Sequence, residues 1–296
     1  MSGPPDRILF IVNPNAGTSD QDWGDIVSAV IGTNAQFDIW QTEHAGHATQ
    51  LAQEGRDAFD LVVAIGGDGT VNEVGRGLVG SDTSMGVVPA GSGNALARAL
   101  GIPLEERNAC RNLLTGSIRR IDAGHIGDDV FLSTAGIGLD AEVCWRFNQD
   151  KSGGRGIVPY VKHSVAGVLQ YKPSTVRVYL DEKEEPLVAT PTLLTVANTH
   201  AFGYGAEIAP GAVPGDGWLD VCVVEGMTVP RALLHGHRLF NGTFDRTPGV
   251  SRHIAKSVRI ERSGAGYYQI DGEAREGGET LEVSLSPGGL GIVVPV

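Results

Sequence analysis

Cysteine is scarce in this chain. Cys110, Cys144 and Cys222 are odd in number, widely spaced and without a C-x-x-C pair, which argues against a disulfide framework and a thiolate metal centre and makes a reducing cytoplasm the expected compartment. Long apolar runs are missing as well. No stretch approaches the ~20 residues of a membrane-crossing helix, so any membrane contact is expected to be peripheral, at the inner face. The start, "MSGPPDRILFIVNPNAG", enters a strand pattern at once. It lacks the basic segment, apolar core and small-residue cleavage site of a secretory leader, and none is expected. Positive charge is in deficit: 23 Lys+Arg against 35 Asp+Glu give a formal net charge of −12, which argues against nucleic acid as a partner. Repeats and low-complexity tracts are absent too.

What is present is the composition of a soluble globular protein, 41% hydrophobic and 20% charged, with a mean hydropathy of −0.03, long enough at 296 residues for two domains with separate cores. The 42 glycines fit many turns and close backbone approaches to a ligand. Charge is unevenly spread. Residues 145–180 carry Arg146, Lys151, Arg155, Lys162, Lys172 and Arg177 against Asp150, and residues 228–262 carry seven bases against Asp245 and Glu261.

Short apolar runs at 8–12, 37–40, 61–65 and 86–88 alternate with segments of helical spacing, which predicts a parallel α/β sheet covered on both faces. Ligands of such sheets sit at the carboxyl ends of strands. Here "NPNAG", "TEHAGHA", "GGDGT" and "PAGSGNALA" each follow a strand, so four loops could converge on one crevice. After about residue 122 the pattern changes to short alternating strands, "VRVYL", "LLTVAN", "WLDVCVV", "SVRIE", "YYQID" and "LEVSL", with Gly-rich turns, which predicts a β-sandwich. Ile157 to Tyr171 reads as an amphipathic helix, and a second helix is expected at Thr228, an N-cap followed by Pro230.

The stretch "LVVAIGGDGTVNEV", Leu61 to Val74, offers what a phosphate group needs: backbone N–H groups, no Cβ in the way and a helix start behind. A purely structural reading stands beside it, because Thr70 and Glu73 form the T-x-x-E pattern of a capping box. The better-known nucleotide loops are excluded. There is no G-x-x-x-x-G-K-[ST], and "AGSGNALA" carries Leu96 where G-x-G-x-x-G needs glycine.

The ordered set "NPNAG" (Asn13 to Gly17), "GGDGTVNE" (Gly66 to Glu73), "PAGSGNALAR" (Pro89 to Arg98) and "QIDGEA" (Gln269 to Ala274), together with "STAGIGLDAEV" and "NTHAFGYGAEIAPGAVPGDGWLDV", resembles the diacylglycerol kinase catalytic-domain family, which includes bacterial diacylglycerol kinases and eukaryotic sphingosine and ceramide kinases. The resemblance implies a two-domain lipid kinase: an α/β N-terminal domain with a parallel sheet, NAD kinase/phosphofructokinase-like, over residues 1–122, to which the tail 286–296 could return, and an all-β sandwich lipid-substrate domain over 123–285. It implies an ATP site lined by Asn13, Pro14, Asn15, Ala16, Gly17, Thr42, Gly66, Gly67, Asp68, Gly69, Thr70, Val71, Asn72, Glu73, Ser92, Gly93 and Asn94. Ala95 stands where many bacterial relatives carry an acid that helps order the metal's waters, and "GSGNALA" looks more like the sphingosine kinases.

Phosphoryl transfer is mostly positioning and charge neutralisation, so it calls for Mg²⁺, a carboxylate to hold it and a base for the attacking hydroxyl. Asp68 is the metal-side candidate. Asp271 and Glu273, two apart on an expected strand and so on one face, are the candidate bases; the resemblance marks the pair as catalytic, with Asp271 favoured and the choice open. A D-G hairpin turn with a solvated Glu is the bland alternative. By resemblance, Asp216 is a structural Mg²⁺ ligand with the main-chain oxygens of Val213 and Trp218, and Asp140 and Glu142, on what reads as a strand edge, contact the lipid headgroup. His235 and His237 point apart on a helix and do not suggest a metal pair, while His44 and His47 suit a helix cap or a nearby phosphate. Trp145, Phe147 and Tyr160 beside basic residues could anchor at a bilayer or belong to an ordinary packed helix. The expected activity is ATP- and Mg²⁺-dependent phosphorylation of a lipid hydroxyl, of diacylglycerol or a sphingosine-like lipid, at a membrane surface; a homodimer stays open. The alternatives are an NAD kinase-like enzyme with a soluble substrate and a non-catalytic lipid- or nucleotide-binding protein.

Overall fold

The computed structural model describes residues 5–16, 22–149 and 171–296. Gly17, Tyr160 and nearly all of the helix expected from Ile157 to Tyr171 lie outside the described residues. The chain divides into two compact units, one of residues 1–123 with 287–296 and one of residues 124–286.

In the first unit β1 (Arg7–Val12), α1 (Trp23–Ile31), β2 (Gln36–Gln41), α2 (His47–Gly55), β3 (Leu61–Gly66), α3 (Asp68–Leu78), β4 (Ser84–Pro89), α4 (Ala95–Ala99) and α5 (Glu106–Thr115) follow one another. The strands lie in the order β2-β1-β3-β4, all parallel. Every residue of β3 and β4 is buried, which is why they read as continuous apolar runs, whereas β2 at the edge is only half-buried. Ile8, Phe10 and Val12 of β1 pack with Leu61, Val63 and Ile65 of β3 against Val27 and Ile31 of α1 and Leu113 of α5. A Cβ on Gly77 of α3 would fall 2.7 Å from both Ala52 Cβ and Thr49 O of α2, so the absent side chain sets how closely these helices approach.

The chain leaves this unit within β5 (Ser117–Ile126) and returns within β18 (Thr280–Val294), where Ile292 pairs in parallel with Met85. Between them run β6 (Asp129–Phe131), β7 (Thr134–Gly138), α6 (Leu139–Gln149), β8 (Val176–Leu180), β9 (Leu187–Ala189), β10 (Pro191–Ala197), β11 (Ala201–Gly203), β12 (Ala206–Glu207), β13 (Leu219–Glu225), α7 (Val229–His235), β14 (Val250–Ala255), β15 (Val258–Arg262), β16 (Gly266–Ile270) and β17 (Glu273–Gly277).

The second unit is a sandwich. One antiparallel sheet has the order β14-β13-β10-β7-β16-β17, and β15 pairs with β8 and with residues 280–283 of β18. Side chains of both layers share a core, with Ile137, Val196, Val221 and Ile270 against Val178, Ile260 and Val283. On the other face of β13, Cys222 and Val224 pack with Ile208, Ala212 and Phe244, which makes β13 apolar on both sides.

Two sequence expectations fail here. "GIGLDAEV" turns from β7 into the helix α6 at Leu139, packed on β7, β16 and β17, so Asp140 and Glu142 are helical rather than at a strand edge. Asp271 and Glu273 do not share a strand face: Asp271 (φ 46°) and Gly272 (φ 87°) are both left-handed and form the two-residue turn between Ile270 and its partner Glu273. Asp-Gly suits such a turn, because its twist matches the flanking strands. The helix expected at Thr228 is present, with the Thr228 side chain accepting from Arg231 N.

Candidate active site

In the first unit the loops after the parallel strands lie along one sheet edge, set by the register Val12↔Gln41, Val12↔Ile65 and Gly66↔Pro89. Two glycine loops meet there backbone to backbone. Ala90 N donates to Gly66 O at 2.8 Å, and a Cβ on Gly91 would sit 2.5 Å from Gly67 Cα. Gly66 itself leaves room for Thr70, whose side chain would lie 2.5 Å from an added Cβ.

Asp68 ties the loops together. Its carboxylate accepts from Asn94 N at 2.9 Å and Ala95 N at 2.6 Å, capping the start of α4 from a neighbouring loop. Burial raises its carboxyl above the ordinary value, opposed by the amides of Ala95 and Asn94, its own amide and the charge of Arg98. Arg98 Nε also donates to Gly93 O, a bracing role that no local motif announces. Asn94, itself left-handed at φ 51°, closes the second loop by accepting from Gly91 N and donating to Gly91 O. Ser92 is exposed at its tip, and Gly93 lies below, with no room for a Cβ beside Asp68 Oδ2.

The capping box is not formed. α3 starts two residues before Thr70, at Asp68, with Gly67 as its N-cap and no side-chain cap. Thr70 Oγ1 accepts from Asn13 Nδ2 at 3.2 Å, which joins "NPNAG" to "GGDGT". Glu73 instead caps α2, accepting from Gly46 N at 2.8 Å and Ala48 N at 3.1 Å. The N-cap Gly67 supplies no side-chain bond at the start of α3, where the Asp68 amide turns to its own carboxylate; a helix start without a cap side chain suits an anion. Around it, Asn13 Oδ1 accepts from Asn15 N in the turn that carries Pro14 and Ala16, Thr42 N donates to Val12 O, and Val71 and Asn72 are buried beneath. Gly69 is half-buried. His47 begins α2 and its Nδ1 accepts from Glu43 N.

The hairpin acids of the second unit differ from one another. The Asp271 carboxylate accepts from Leu132 N (2.8 Å), Ser133 N (2.8 Å) and Thr134 N (2.9 Å), which pins the turn to the start of β7. Glu273, half-buried, pairs with Arg275 at 2.8 Å. Behind the turn, Gln269 Oε1 accepts from Gly272 N at 3.0 Å, and Gln269 Nε2 lies 3.4 Å from both Thr134 Oγ1 and Asp140 Oδ2. Asp140 is buried; burial pushes its carboxyl up to about 7, against the Ala141 amide and the Gln269 side chain. Glu142 pairs with Arg146 at 2.9 Å. Gln269 was not singled out as a site residue, and its link to Asp140, 129 positions away, leaves no local trace. Trp145 stacks on Tyr267 at 5.0 Å, which favours a packed role for it.

Asp216 lies in an exposed turn between Gly215 and Gly217, its Oδ1 accepting from Trp218 N at 3.0 Å; Val213 and Trp218 are also partly exposed. The exposed Asp216 carboxylate offers oxygen donors open to water, the kind that magnesium takes while keeping much of its hydration. Among the described residues no group of three His, Cys, Asp or Glu could hold a metal.

Residues 7–126 match the diacylglycerol kinase catalytic domain and residues 133–294 the YegS C-terminal NAD kinase beta sandwich-like domain. A diacylglycerol kinase of Mycobacterium tuberculosis is 33% identical over 220 residues, 72% of this chain and 70% of that protein. An uncharacterized protein of Synechocystis is 28% identical over 279 residues, covering 89% of this chain but 62% of the relative's length. Among solved structures, a diacylglycerol kinase of Bacillus anthracis superposes with a TM-score of 0.73 at 20% identity, covering 98% of this chain and 97% of that one.

Proposed function

This chain belongs to the diacylglycerol kinase catalytic-domain family, and from that membership we propose that it is an ATP-dependent lipid kinase. The acceptor is a lipid hydroxyl at a membrane surface, diacylglycerol giving phosphatidic acid or a sphingosine-like lipid, and the work is done in the cytoplasm. The observation that carries this reading is the bridge from Asp68 to the amides of Asn94 and Ala95, which ties two glycine loops together at a helix start.

On this reading residues 1–122 with 286–296 form the nucleotide domain and 123–285 the lipid domain. The starting amides of α3, with the loops of Asn13 to Gly17 and Gly91 to Asn94, receive the phosphates of ATP, and Thr42 lies at the rim. Magnesium would neutralise phosphate charge where the nucleotide binds, and Asp216 with the carbonyls of Val213 and Trp218 would hold a further ion that steadies its turn. In the transfer the acceptor oxygen bonds to the γ-phosphorus, the bond to the β,γ-bridging oxygen breaks, ADP leaves, and the hydroxyl proton passes to a base. Glu273 is the better candidate, because Asp271 is engaged by three amides; the turn that Asp271 and Gln269 hold fixes where Glu273 starts. Glu142 would meet the headgroup, with the buried Asp140 behind it.

Transfer of labelled γ-phosphate from ATP to a panel of lipids, with Glu273→Gln and Asp68→Ala beside the wild type, tests this directly. Product on a lipid that both variants lose supports it. Full activity in both variants, or phosphorylation of NAD and of no lipid, overturns it.

A further inference from the structure

The segment after β13 inverts the usual polarity of a surface helix. α7 and the 3₁₀ turn Gly236–Phe240 that follows it contain no buried residue. Their half-buried positions are Val229, Ala232, His235, Gly236, Arg238 and Leu239, and Leu239 rests on the cluster of Ile208, Cys222 and Phe244. The outward positions carry the large apolar side chains: Leu233 is 79% exposed, Leu234 66% and Phe240 60%. A helix seated on a core alone turns its leucines inward. Single exposed leucines are ordinary, but three large apolar side chains exposed within one short segment call for a partner.

The charge around the patch indicates which partner. Residues 228–247 carry Arg231, Arg238 and Arg246 against Asp245, in a chain whose formal net charge is −12. Arg231 donates to Gly226 O and Arg238 to Arg246 O, and a carbonyl acceptor leaves the guanidinium charge in place. The acids on adjoining elements are Glu207, which approaches Gly242, and Glu225, which accepts from Thr190 N. A second copy of the chain is a poor occupant, because a two-fold contact would set these arginines against themselves. Three side chains also fall far short of the roughly 800 Å² per partner of a stable interface. An anionic bilayer answers both features.

We propose that α7 and its 3₁₀ extension form a membrane-docking edge, with Leu233, Leu234 and Phe240 entering the acyl region and Arg231 and Arg238 meeting lipid phosphates. This names a surface for the lipid-kinase reading and rests on it. The test is flotation of the full chain with phosphatidylglycerol/phosphatidylcholine vesicles and with phosphatidylcholine alone. Wild type should bind the anionic vesicles and release them as salt rises. L233E/L234E, which alters only exposed positions, should lose about tenfold or more of that binding while keeping the wild-type melting temperature and wild-type activity on a short-chain, detergent-dispersed acceptor. Equal binding by variant and wild type overturns the proposal, as does a wild-type dimer that the variant dissociates without any vesicle binding. If no lipid is ever phosphorylated, the kinase reading falls, and the flotation difference still decides the docking edge.

Discussion

Replacing Asp68 by Asn and by Ala separates a bracing role from a purely metal-binding one. The carboxylate accepts two amides, from Asn94 at 2.9 Å and Ala95 at 2.6 Å. Asparagine keeps one oxygen as acceptor and turns an NH₂ toward the other amide, so one donor is orphaned, at about 1–3 kcal/mol. Alanine orphans both, at about 2–6 kcal/mol, with the lower half favoured because the site is only half-buried and water can reach it. The order wild type, Asn, Ala should therefore appear in protein stripped of nucleotide and treated with a chelator, where a metal ligand has no role. Urea unfolding gives the free energies, and hydrogen exchange at the Asn94 and Ala95 amides gives the local opening, faster by tenfold for each 1.4 kcal/mol or so. Affinity for ADP should fall in the same order, since the second loop loses its anchor. Unchanged unfolding and exchange in both variants, alongside lost kinase activity, would refute the brace and return Asp68 to the metal alone.

The hairpin acids should part company: Asp271→Ala orphans three amides and is expected to cost about 3 kcal/mol or more of second-unit stability, whereas Glu273→Gln loses an exposed ion pair worth about 0–1 kcal/mol but about 10²–10⁴ in rate as the base. The reverse pattern in urea melts and turnover would restore Asp271 as base. Asp140 has its carboxyl pushed from 3.8 up to about 7 by burial. The native state thus holds its proton more tightly than the unfolded chain, so stability is highest at low pH for this group and falls as pH rises from about 4 to about 7, then levels. The interval amounts to about 4 kcal/mol; Asp140→Asn should flatten that slope in melts across the range, and an unchanged slope would count against a buried, protonated Asp140. Glu73→Ala should lower stability by about 1 kcal/mol through loss of the α2 cap, measured by urea unfolding, while a helix α2 as protected as before would show the cap to be idle. Burial pushes the thiols of Cys110 and Cys222 up to about 12 and raises Cys144 as well, so all three should resist alkylation at pH 8 until the protein unfolds; rapid labelling of the native protein would contradict that.

The strands that were legible were so because burial writes itself into composition. Fully covered β3 and β4 read as unbroken apolar runs, and β8, with outward Arg177 between buried Val176 and Val178, reads as alternation. Thr228 with Pro230 was legible because a cap is a local event. The misreadings differ in cause, and at the capping-box spacing a local pattern was outbid by a distant partner. Thr70 and Glu73 have capping-box spacing, yet Glu73 finds better-placed donors at the open start of α2, 27 and 25 residues away, and Thr70 is taken by Asn13. "GIGLDAEV" shows strand alternation over only a few residues, too few to separate it from a helix start, and the pairing of Asp140 with Gln269 that belongs to the helix has no spacing to read. At "QIDGEA" the signal was present: Asp-Gly between apolar residues is a turn dipeptide, and its geometry won over a straight strand.

The motif acids of the two units solve the same physical problem. Asp68 follows a glycine pair and holds the amides of a second loop; Asp271 precedes a glycine and holds the amides of residues 132–134. A loop built from glycine gives close approach at the cost of conformational freedom, which would blur any site made from it. A carboxylate that accepts two or three N–H groups removes that freedom with one side chain, because hydrogen bonds to a charged acceptor are the strong ones. Phosphoryl transfer draws its rate chiefly from placing groups that already carry the right charge. In such chemistry an acid can be indispensable without touching a metal or a proton. Each brace fixes a neighbour, the start of α3 beside Asp68 and Glu273, paired with Arg275, beside Asp271, and on the proposed reading it is these neighbours that the glycine-rich motifs present.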